Sequence, residues 1–200
     1  MNEITRRALI FGTATVAAGG LLAGVERLSL AAFADNEEPE DHPGPVKIVK
    51  FADDGANLGA VTLAKIHKSK IEWKKQLSPL QYDVTRRAAT ESPFSGALYG
   101  QHAAGLYRCV DCENALFDSK AKFESGTGWP SFWEPIAREN VREKKDFSIG
   151  VLRTEVLCAL CDAHLGHVFN DGPEPTGLRY CMNSAALRFI PRPAFARANS

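Results

Sequence analysis

The stretch that decides the fold is Cys158-Ala159-Leu160-Cys161-Asp162-Ala163-His164-Leu165-Gly166-His167-Val168-Phe169, in which a Cys-x-x-Cys unit runs directly into residues of β-strand character. A second unit, Cys109-Val110-Asp111-Cys112, lies far upstream. Two such units supply four thiolates, the ligand set of a closed tetrahedral zinc site that leaves no position open for substrate. The pattern predicts one structural Zn²⁺ per chain, with a β-layer between its ligands Cys109, Cys112, Cys158 and Cys161.

The same cysteines have two other interpretations. An oxidising compartment would permit disulfides, and a Cys-x-x-Cys pair can be redox-active. Neither interpretation explains why the unit occurs twice. The chain has five cysteines, an odd number, so Cys181 stands outside the set of four.

Short runs of β-forming residues surround the two units. They are residues 106–110, 116–117, 149–152, 155–157, 167–169, 179–182 and 187–190. Turn signals such as Gly126, Gly128 and Asp171-Gly172-Pro173 separate them. Many short strands with Gly and Pro between them indicate antiparallel sheets, so the fold is predicted to be mainly β.

Two short helices are predicted before the strands. Ser69-Lys70-Ile71-Glu72 and Ser78-Pro79-Leu80-Gln81 match capping boxes, and the second has proline at the first helical position. Leu80, Val84 and Ala88 recur at four-residue spacing and predict one apolar stripe. We expect these helices to cover one side of the core.

Residues 1–34 have the order of a targeting segment. Arg6-Arg7 precede an uncharged stretch over residues 8–25, and Ala32-Phe33-Ala34 fits a small-x-small cleavage site. The arginine pair resembles a twin-arginine signal, which implies export, for example to the periplasm. An uncleaved membrane anchor is the alternative, because about eighteen helical residues just reach across a bilayer core. Several Thr and Gly residues weaken that alternative, and no stable membrane insertion is expected after cleavage.

The remaining chain divides into three parts. Residues 35–66 are expected to form a linker and N-terminal extension, whose first part is acidic and proline-rich. Residues 46–51 have strand character and precede the turn signal Asp53-Asp54-Gly55, without an assigned role. Residues 67–192 are expected to form the main domain and residues 193–200 a tail.

Lys+Arg and Asp+Glu balance at 24 each, so charge gives no reason to expect nucleic acid as a partner.

A second dense region is Arg179-Tyr180-Cys181-Met182-Asn183. If it is a strand, Arg179, Cys181 and Asn183 share one face, and a cation lowers the pKa of a neighbouring thiol. The alternative is that Cys181 is a small buried hydrophobe, as free cysteines usually are. His164 and His167 lie close in sequence and favour chemistry, although His164 can also be interpreted as a spare zinc ligand.

These residues resemble the signature blocks of a known family, the B-type methionine sulfoxide reductases. The matching blocks are Ser125-Gly126-Thr127-Gly128-Trp129-Pro130-Ser131-Phe132, His164-Leu165-Gly166-His167-Val168-Phe169 and Arg179-Tyr180-Cys181-Met182-Asn183-Ser184. The two Cys-x-x-Cys units match the zinc-containing form of that family. The resemblance extends from about residue 71 to 190.

The resemblance implies a fold, a reaction and residue roles. The fold would be two antiparallel sheets in a β-sandwich or barrel-like domain, with short N-terminal helices and the zinc away from the active site. The substrate would be the R epimer of methionine sulfoxide in oxidised proteins, with a thioredoxin-like or other thiol as reductant. We expect a monomer. By resemblance, Cys181 is the nucleophile, His164, His167 and Asn183 surround the sulfoxide, Trp129 and Phe169 receive the methyl group, and Arg179 and Asp171 are charged residues of the same site.

One position departs from the family pattern. Many relatives have a second, resolving cysteine where this chain has Thr127, so we expect an external thiol to reduce the sulfenic acid on Cys181 directly. Two other functions stay open. A zinc β-fold can be a binding module, with Trp129, Trp133 and Phe169 as an aromatic cage, and Cys-x-x-Cys units can serve thiol–disulfide exchange.

Overall fold

The computed structural model describes residues 44–192 of the chain. This part contains eleven short strands and two short α-helices, joined by loops and three 3-10 turns. The strands are β1 (Val46–Phe51), β2 (Asn57–Leu63), β3 (Gly105–Cys109), β4 (Ala115–Asp118), β5 (Lys122–Phe123), β6 (Ser131–Phe132), β7 (Val141–Asp146), β8 (Arg153–Cys158), β9 (His164–Phe169), β10 (Arg179–Met182) and β11 (Leu187–Pro191). The helices are α1 (Lys70–Gln76) and α2 (Pro79–Arg87). The predicted signal over residues 1–34, the first part of the predicted linker and the predicted tail over residues 193–200 lie outside the described residues.

Both helices begin where the capping boxes predict. The hydroxyls of Ser69 and Ser78 accept the backbone N–H three residues on, and the Glu72 and Gln81 side chains accept the N–H of the cap residue in return. The predicted apolar stripe on α2 is wrong, because Leu80 is exposed and Ala88 ends the helix in the left-handed conformation. In the described part of the chain, no helix is long and apolar enough to cross a membrane.

The strands form three antiparallel sheets, which confirms the predicted mainly β fold with short helices before it. The largest has six strands in the order β5-β6-β10-β9-β8-β7, the second has the order β11-β3-β4, and β1 pairs with β2. Short connections join several of the antiparallel neighbours, such as β1 with β2 and β7 with β8, whereas β6 with β10 and β3 with β11 pair across long stretches of chain. The third, two-stranded sheet lies ahead of the predicted domain.

The hydrophobic core lies between the six-stranded and three-stranded sheets. Tyr107 and Phe117 of the smaller sheet pack on the ring of Phe132, with centroids 4.9 and 4.4 Å apart, and Phe117 also contacts Tyr180. Because side chains alternate along a strand, the neighbour of Tyr180 on β10, Cys181, projects to the opposite face of the sheet. The core thereby fixes which face carries the fifth thiol.

The β1–β2 hairpin, in the region predicted as linker and extension, packs on the domain. Ile48 is buried in the core, and the buried side chain of Asn140 bonds both backbone groups of Val49, accepting from its N–H at 2.7 Å and donating to its carbonyl at 2.8 Å. The Lys65 ammonium forms an ion pair with Asp162, next to the second Cys-x-x-Cys unit. Residues 46–66 are therefore in contact with the element that carries two of the cysteines.

One predicted strand is wrong. Residues 149–152 form the connection between β7 and β8, and Ile149, Val151 and Leu152 are exposed. The adjacent strand β7 was not predicted, because its sequence Val-Arg-Glu-Lys-Lys-Asp is polar. It is an edge strand on which residues 142–145 are charged and exposed, as is usual at sheet edges, whereas its last residue, Asp146, is half-buried.

Candidate active site and metal centre

Four thiols form a compact cluster at the ends of two hairpins. The Sγ atoms of Cys109, Cys112, Cys158 and Cys161 all lie within 4.8 Å of one another. Cys109 lies 3.7 Å from Cys161, and Cys112 lies 3.5 Å from Cys158, so each unit contacts the other. Tetrahedral Zn–S bonds of ~2.3 Å place sulfurs about 3.8 Å apart, whereas a disulfide needs about 2.05 Å. The donor set and its spacing fit a four-coordinate metal ion.

The two units have the same local turn. In the first, the N–H of Glu113 donates to the Cys109 carbonyl at 2.9 Å, and in the second, the N–H of Asp162 donates to the Cys158 carbonyl at 2.9 Å. Glu113 and Asp162 both adopt positive φ, 63° and 55°. The repeated sequence unit is thus a repeated backbone structure, which turns two thiols per hairpin toward one point.

A single side chain from α2 joins the two units. The guanidinium of Arg86 donates to the Asp111 carboxylate in the first unit and, at 2.8 Å, to the Cys161 carbonyl in the second. It also lies 3.9 Å above the ring of Trp73 on α1. Sequence reasoning missed Arg86, because the contact joins residues that are distant along the chain.

The fifth thiol lies on a different face, in a row that crosses the large sheet. Ser131 on β6, Cys181 on β10, His167 on β9 and Glu155 on β8 are directly opposite one another on adjacent strands. Residues paired in this way project to the same face, with Cβ atoms about 4.5–5.5 Å apart. The row therefore brings a thiol, a hydroxyl, an imidazole and a carboxylate together.

A β-bulge adds His164 to this face. The pairing of β8 with β9 shifts between Val156, which is opposite Gly166, and Leu157, which is opposite His164. The extra residue reverses the alternation, so two histidines three positions apart have ring centroids 5.4 Å apart. Gly166 is required here, because a Cβ would lie 2.1 Å from the Cys181 carbonyl oxygen and its φ is 154°.

Each histidine is held by a carboxylate. Nδ1 of His164 donates to Oε1 of Glu155 at 2.7 Å, and Nε2 of His167 donates to Oδ2 of Asp146 at 2.8 Å. The bond from His164 lowers the pKa of Glu155, and burial lowers the pKa of His167, a shift that the Asp146 carboxylate opposes. Nε2 of His164 is buried and has no hydrogen-bond partner among the described residues. The hydrogen-bonding capacity of this nitrogen is therefore not used by the described residues.

The surroundings of Cys181 act on its ionisation in two directions. Burial raises the pKa of the thiol, whereas the Thr127 hydroxyl, with Oγ1 3.8 Å from Sγ, and the charge of Arg179 lower it. The resting side chain is thus a partly buried thiol with groups beside it that favour the thiolate. Arg179 and Cys181 share one face of β10, as the alternation predicted.

Arg179 is itself oriented by two neighbours. Its guanidinium donates two hydrogen bonds of 2.8 Å to the carboxylate of Asp171 and lies 4.4 Å above the ring of Phe169. Asp171 is exposed and forms an ion pair with Arg179. Its contact with the region of the thiol is therefore made through the Arg179 guanidinium. The structure thus joins Asp171, Phe169, Arg179 and Cys181 in one series of contacts.

Asn183 does not continue the face of β10. The strand ends at Met182, and the buried Asn183 amide donates to the Leu165 carbonyl at 3.1 Å and accepts from the Glu91 N–H at 3.0 Å. The indole N–H of Trp129 donates to the carbonyl of the same Glu91 at 3.1 Å. Asn183 and Trp129 are therefore tied to one buried residue, which sequence reasoning missed.

The structure weakens the other two functions. Trp133 is partly buried against the hydrophobic core, which leaves less of its ring free to line an aromatic cage. Cys109, Cys158 and Cys161 are buried, which keeps their thiols from exchange with a partner protein. His164 bonds Glu155 and is not a member of the four-thiol cluster.

Three carboxylates near the site, Glu91, Asp146 and Glu155, were absent from the predicted site. The position of Glu155 could have been predicted from the sequence, because a strand that ends at Cys158 and a hairpin to His164 place Glu155 near the histidines. Asp146 follows a polar strand that was not predicted, and Glu91 lies far from Asn183 in the chain. Their positions depend on the folded structure.

The fold and the site are those of a thiol-based oxidoreductase with a separate cluster of four thiols that could hold a metal ion. Residues 77–191 match the SelR domain family. The chain is 57% identical over 129 residues to "Peptide methionine sulfoxide reductase MsrB" of Herminiimonas arsenicoxydans, which covers 64% of this chain and 94% of that protein. It is 58% identical over 128 residues to the protein of the same name from Bradyrhizobium diazoefficiens (64% and 92%), and 57% identical over 130 residues to that from Pseudomonas fluorescens Pf-5 (65% and 100%). The chain therefore belongs to the MsrB family of peptide methionine sulfoxide reductases.

Proposed function

We propose that the protein reduces the R epimer of protein-bound methionine sulfoxide to methionine, with Cys181 as the only redox-active sulfur. The proposal is carried by one observation. Cys181 lies on the sheet face opposite the core, directly across from His167, while the other four thiols are gathered in a cluster. Family membership and the names of the relatives support methionine sulfoxide reduction.

The reaction balances with Cys181, one proton from a protonated histidine of the site and two equivalents of an external thiol. The sulfur of the Cys181 thiolate attacks the sulfoxide sulfur, the S–O bond breaks, and the oxygen is transferred with a proton to the cysteine as a sulfenic acid. Methionine leaves as the reduced product. Two equivalents of an external thiol then reduce the sulfenic acid to the thiol, with one water and one disulfide as products. Thioredoxin-like proteins or small thiols are suitable reductants.

His164 and His167 are the groups that we assign to the sulfoxide oxygen. A protonated imidazole donates a hydrogen bond to the oxygen as negative charge develops on it, and histidine is the side chain suited to this at neutral pH. The unpartnered Nε2 of His164 supports this assignment, since Glu155 holds the other ring nitrogen. Phe169 and Trp129 form the apolar wall for the methyl group. Asn183, through its bonds to Leu165 and Glu91, holds the end of β10 in place beside the site.

The four-thiol cluster would hold one Zn²⁺. Zinc would supply cross-linking between the two hairpins rather than chemistry, because four thiolates close its coordination shell.

We also propose that residues 1–34 export the protein by the twin-arginine route, which is supported by Arg6-Arg7 and the weakly apolar stretch after them. A reporter fused to residues 1–34 should reach the periplasm, and replacing both arginines by lysine should keep it inside.

The decisive assay uses separated R and S epimers of N-acetyl-methionine sulfoxide with a small dithiol as reductant. We expect turnover of the R epimer alone, and loss of all turnover in Cys181→Ser with the metal content unchanged. Turnover of the S epimer at a similar rate, or full activity of Cys181→Ser, would rule out the proposal.

A further inference from the structure

The connection between β7 and β8 exposes an unusual concentration of apolar side chains. We call residues 147–152 the hairpin tip. Its four large apolar residues, Phe147, Ile149, Val151 and Leu152, are 68, 64, 62 and 61% exposed. The other exposed large apolar residues in the described range are scattered over separate elements: Leu58, Ile71, Leu80 and Phe94. Since the hairpin tip buries none of these side chains in its own domain, packing does not explain its composition.

The hairpin tip is attached to the active-site face by one carboxylate. Asp146 precedes it and accepts hydrogen bonds from His167 at 2.8 Å and from Arg153 at 2.5 Å. The other oxygen of Asp146 accepts the backbone N–H of Ser148 within the tip at 2.8 Å. One side chain therefore fixes both a histidine of the reacting face and the first turn of the hairpin tip.

The separation between the thiol and the hairpin tip matches a short peptide. Cys181 lies on β10, three strands from β7, which is about 14 Å at the usual spacing of ~4.8 Å. The hairpin tip continues beyond the end of β7. An extended chain advances ~3.3–3.6 Å per residue, so a segment about four to six residues long spans this separation.

We propose that the hairpin tip binds an apolar segment of the oxidised substrate protein, about four to six residues from the methionine sulfoxide. This inference rests on the proposed function and specifies its substrate class. The hairpin tip carries no charged side chain, so burial of apolar surface is the interaction it offers. Methionines of folded proteins lie mostly among other apolar residues, and an oxidised, partly unfolded protein exposes such segments.

The test compares substrates of different length and polarity. The substrates are N-acetyl-methionine R-sulfoxide, a peptide with three leucines four to six residues from the sulfoxide, and the same peptide with serines there. The variant is Ile149→Ser/Leu152→Ser. The control is Ile71→Ser/Leu58→Ser, which removes the same residue types at matching exposure, 65 and 62%, on α1 and β2.

We expect wild-type protein to reduce the leucine peptide with a kcat/KM roughly tenfold above that of the serine peptide, through a lower KM. The hairpin-tip variant should lose this preference and keep its activity on the small substrate, and the control variant should keep both. A preference that survives in the variant would overturn the inference. The inference would also be overturned if the variant lost self-association, or lost binding to anionic vesicles, while its peptide preference stayed unchanged. Inactivity of wild-type protein on the small substrate would instead refute the proposed function.

Discussion

Nδ1 of His164 lies 2.7 Å from Oε1 of Glu155, and this pair exists because a bulge in β9 turns His164 onto the face that carries Cys181. The carboxylate is held ionised by the hydrogen bond, which lowers its pKa. It can therefore offset positive charge on the ring when the imidazole donates to the sulfoxide oxygen.

Replacing this carboxylate should slow catalysis without weakening substrate binding. In Glu155→Gln the amide can still accept the Nδ1 hydrogen bond, but the negative charge is lost. We expect kcat to fall roughly ten- to a hundredfold, less than the ~10²–10⁴-fold contributed by a group that itself transfers the proton, and KM to change little. Steady-state kinetics over pH measures this, with exposed Glu139→Gln as the control. Equal kcat in both variants would remove Glu155 from the mechanism.

Arg179 should control the ionisation of the reactive thiol. Burial raises the pKa of Cys181 and the positive charge of Arg179 lowers it, so Arg179→Gln moves that pKa further up. Less thiolate is then present at neutral pH, and alkylation of Cys181 by iodoacetamide at about pH 7.5 should slow several-fold. The rate–pH curve should shift to higher pH, and the exposed Arg188→Gln should leave it in place. A shift to lower pH would contradict the assignment.

Arg86 should stabilise the metal cluster rather than take part in the reaction. Its partner Asp111 is fully buried, and loss of one member of a buried pair costs about 3–5 kcal/mol of the free energy of unfolding. Arg86→Gln should therefore unfold at lower urea and release zinc faster to a chelator. The neighbouring Arg87→Gln, which removes an exposed pair, is the control. Identical zinc release in both variants would refute the link between Arg86 and the metal.

Thr127 is the position at which a resolving cysteine would work. Its Oγ1 lies 3.8 Å from the Sγ of Cys181, so a thiol there lies within reach of the sulfenic acid. In Thr127→Cys, one equivalent of sulfoxide should produce a disulfide between residues 127 and 181, detected by peptide mass mapping. Thr127→Ser should form none. A persistent sulfenic acid in Thr127→Cys would show that the loop holds the two sulfurs apart.

Local sequence patterns predicted much of the fold. The capping boxes locate both helix starts, and the paired Cys-x-x-Cys units predict the four-thiol cluster because each unit forms the same turn. Strand β10 was predicted at its observed bounds, since Arg179–Met182 alternates and turns flank it.

Non-local contacts account for the rest. Apolar residues 149–152 were predicted as a strand, because composition does not distinguish a buried strand from an exposed loop. The extra residue in β9 depends on its pairing with β8, so the partner of His164 did not follow from spacing. Asp146 and Glu91 lie far along the chain from the residues they hold.

The central claim, that Cys181 is the only sulfur of the protein to change oxidation state, is tested most directly by trapping its sulfenic acid in metal-loaded protein. One equivalent of R-sulfoxide should give one dimedone adduct per chain, on Cys181, while zinc stays bound at one per chain. A disulfide that includes Cys181 and a cysteine of the cluster, with zinc released, would contradict it.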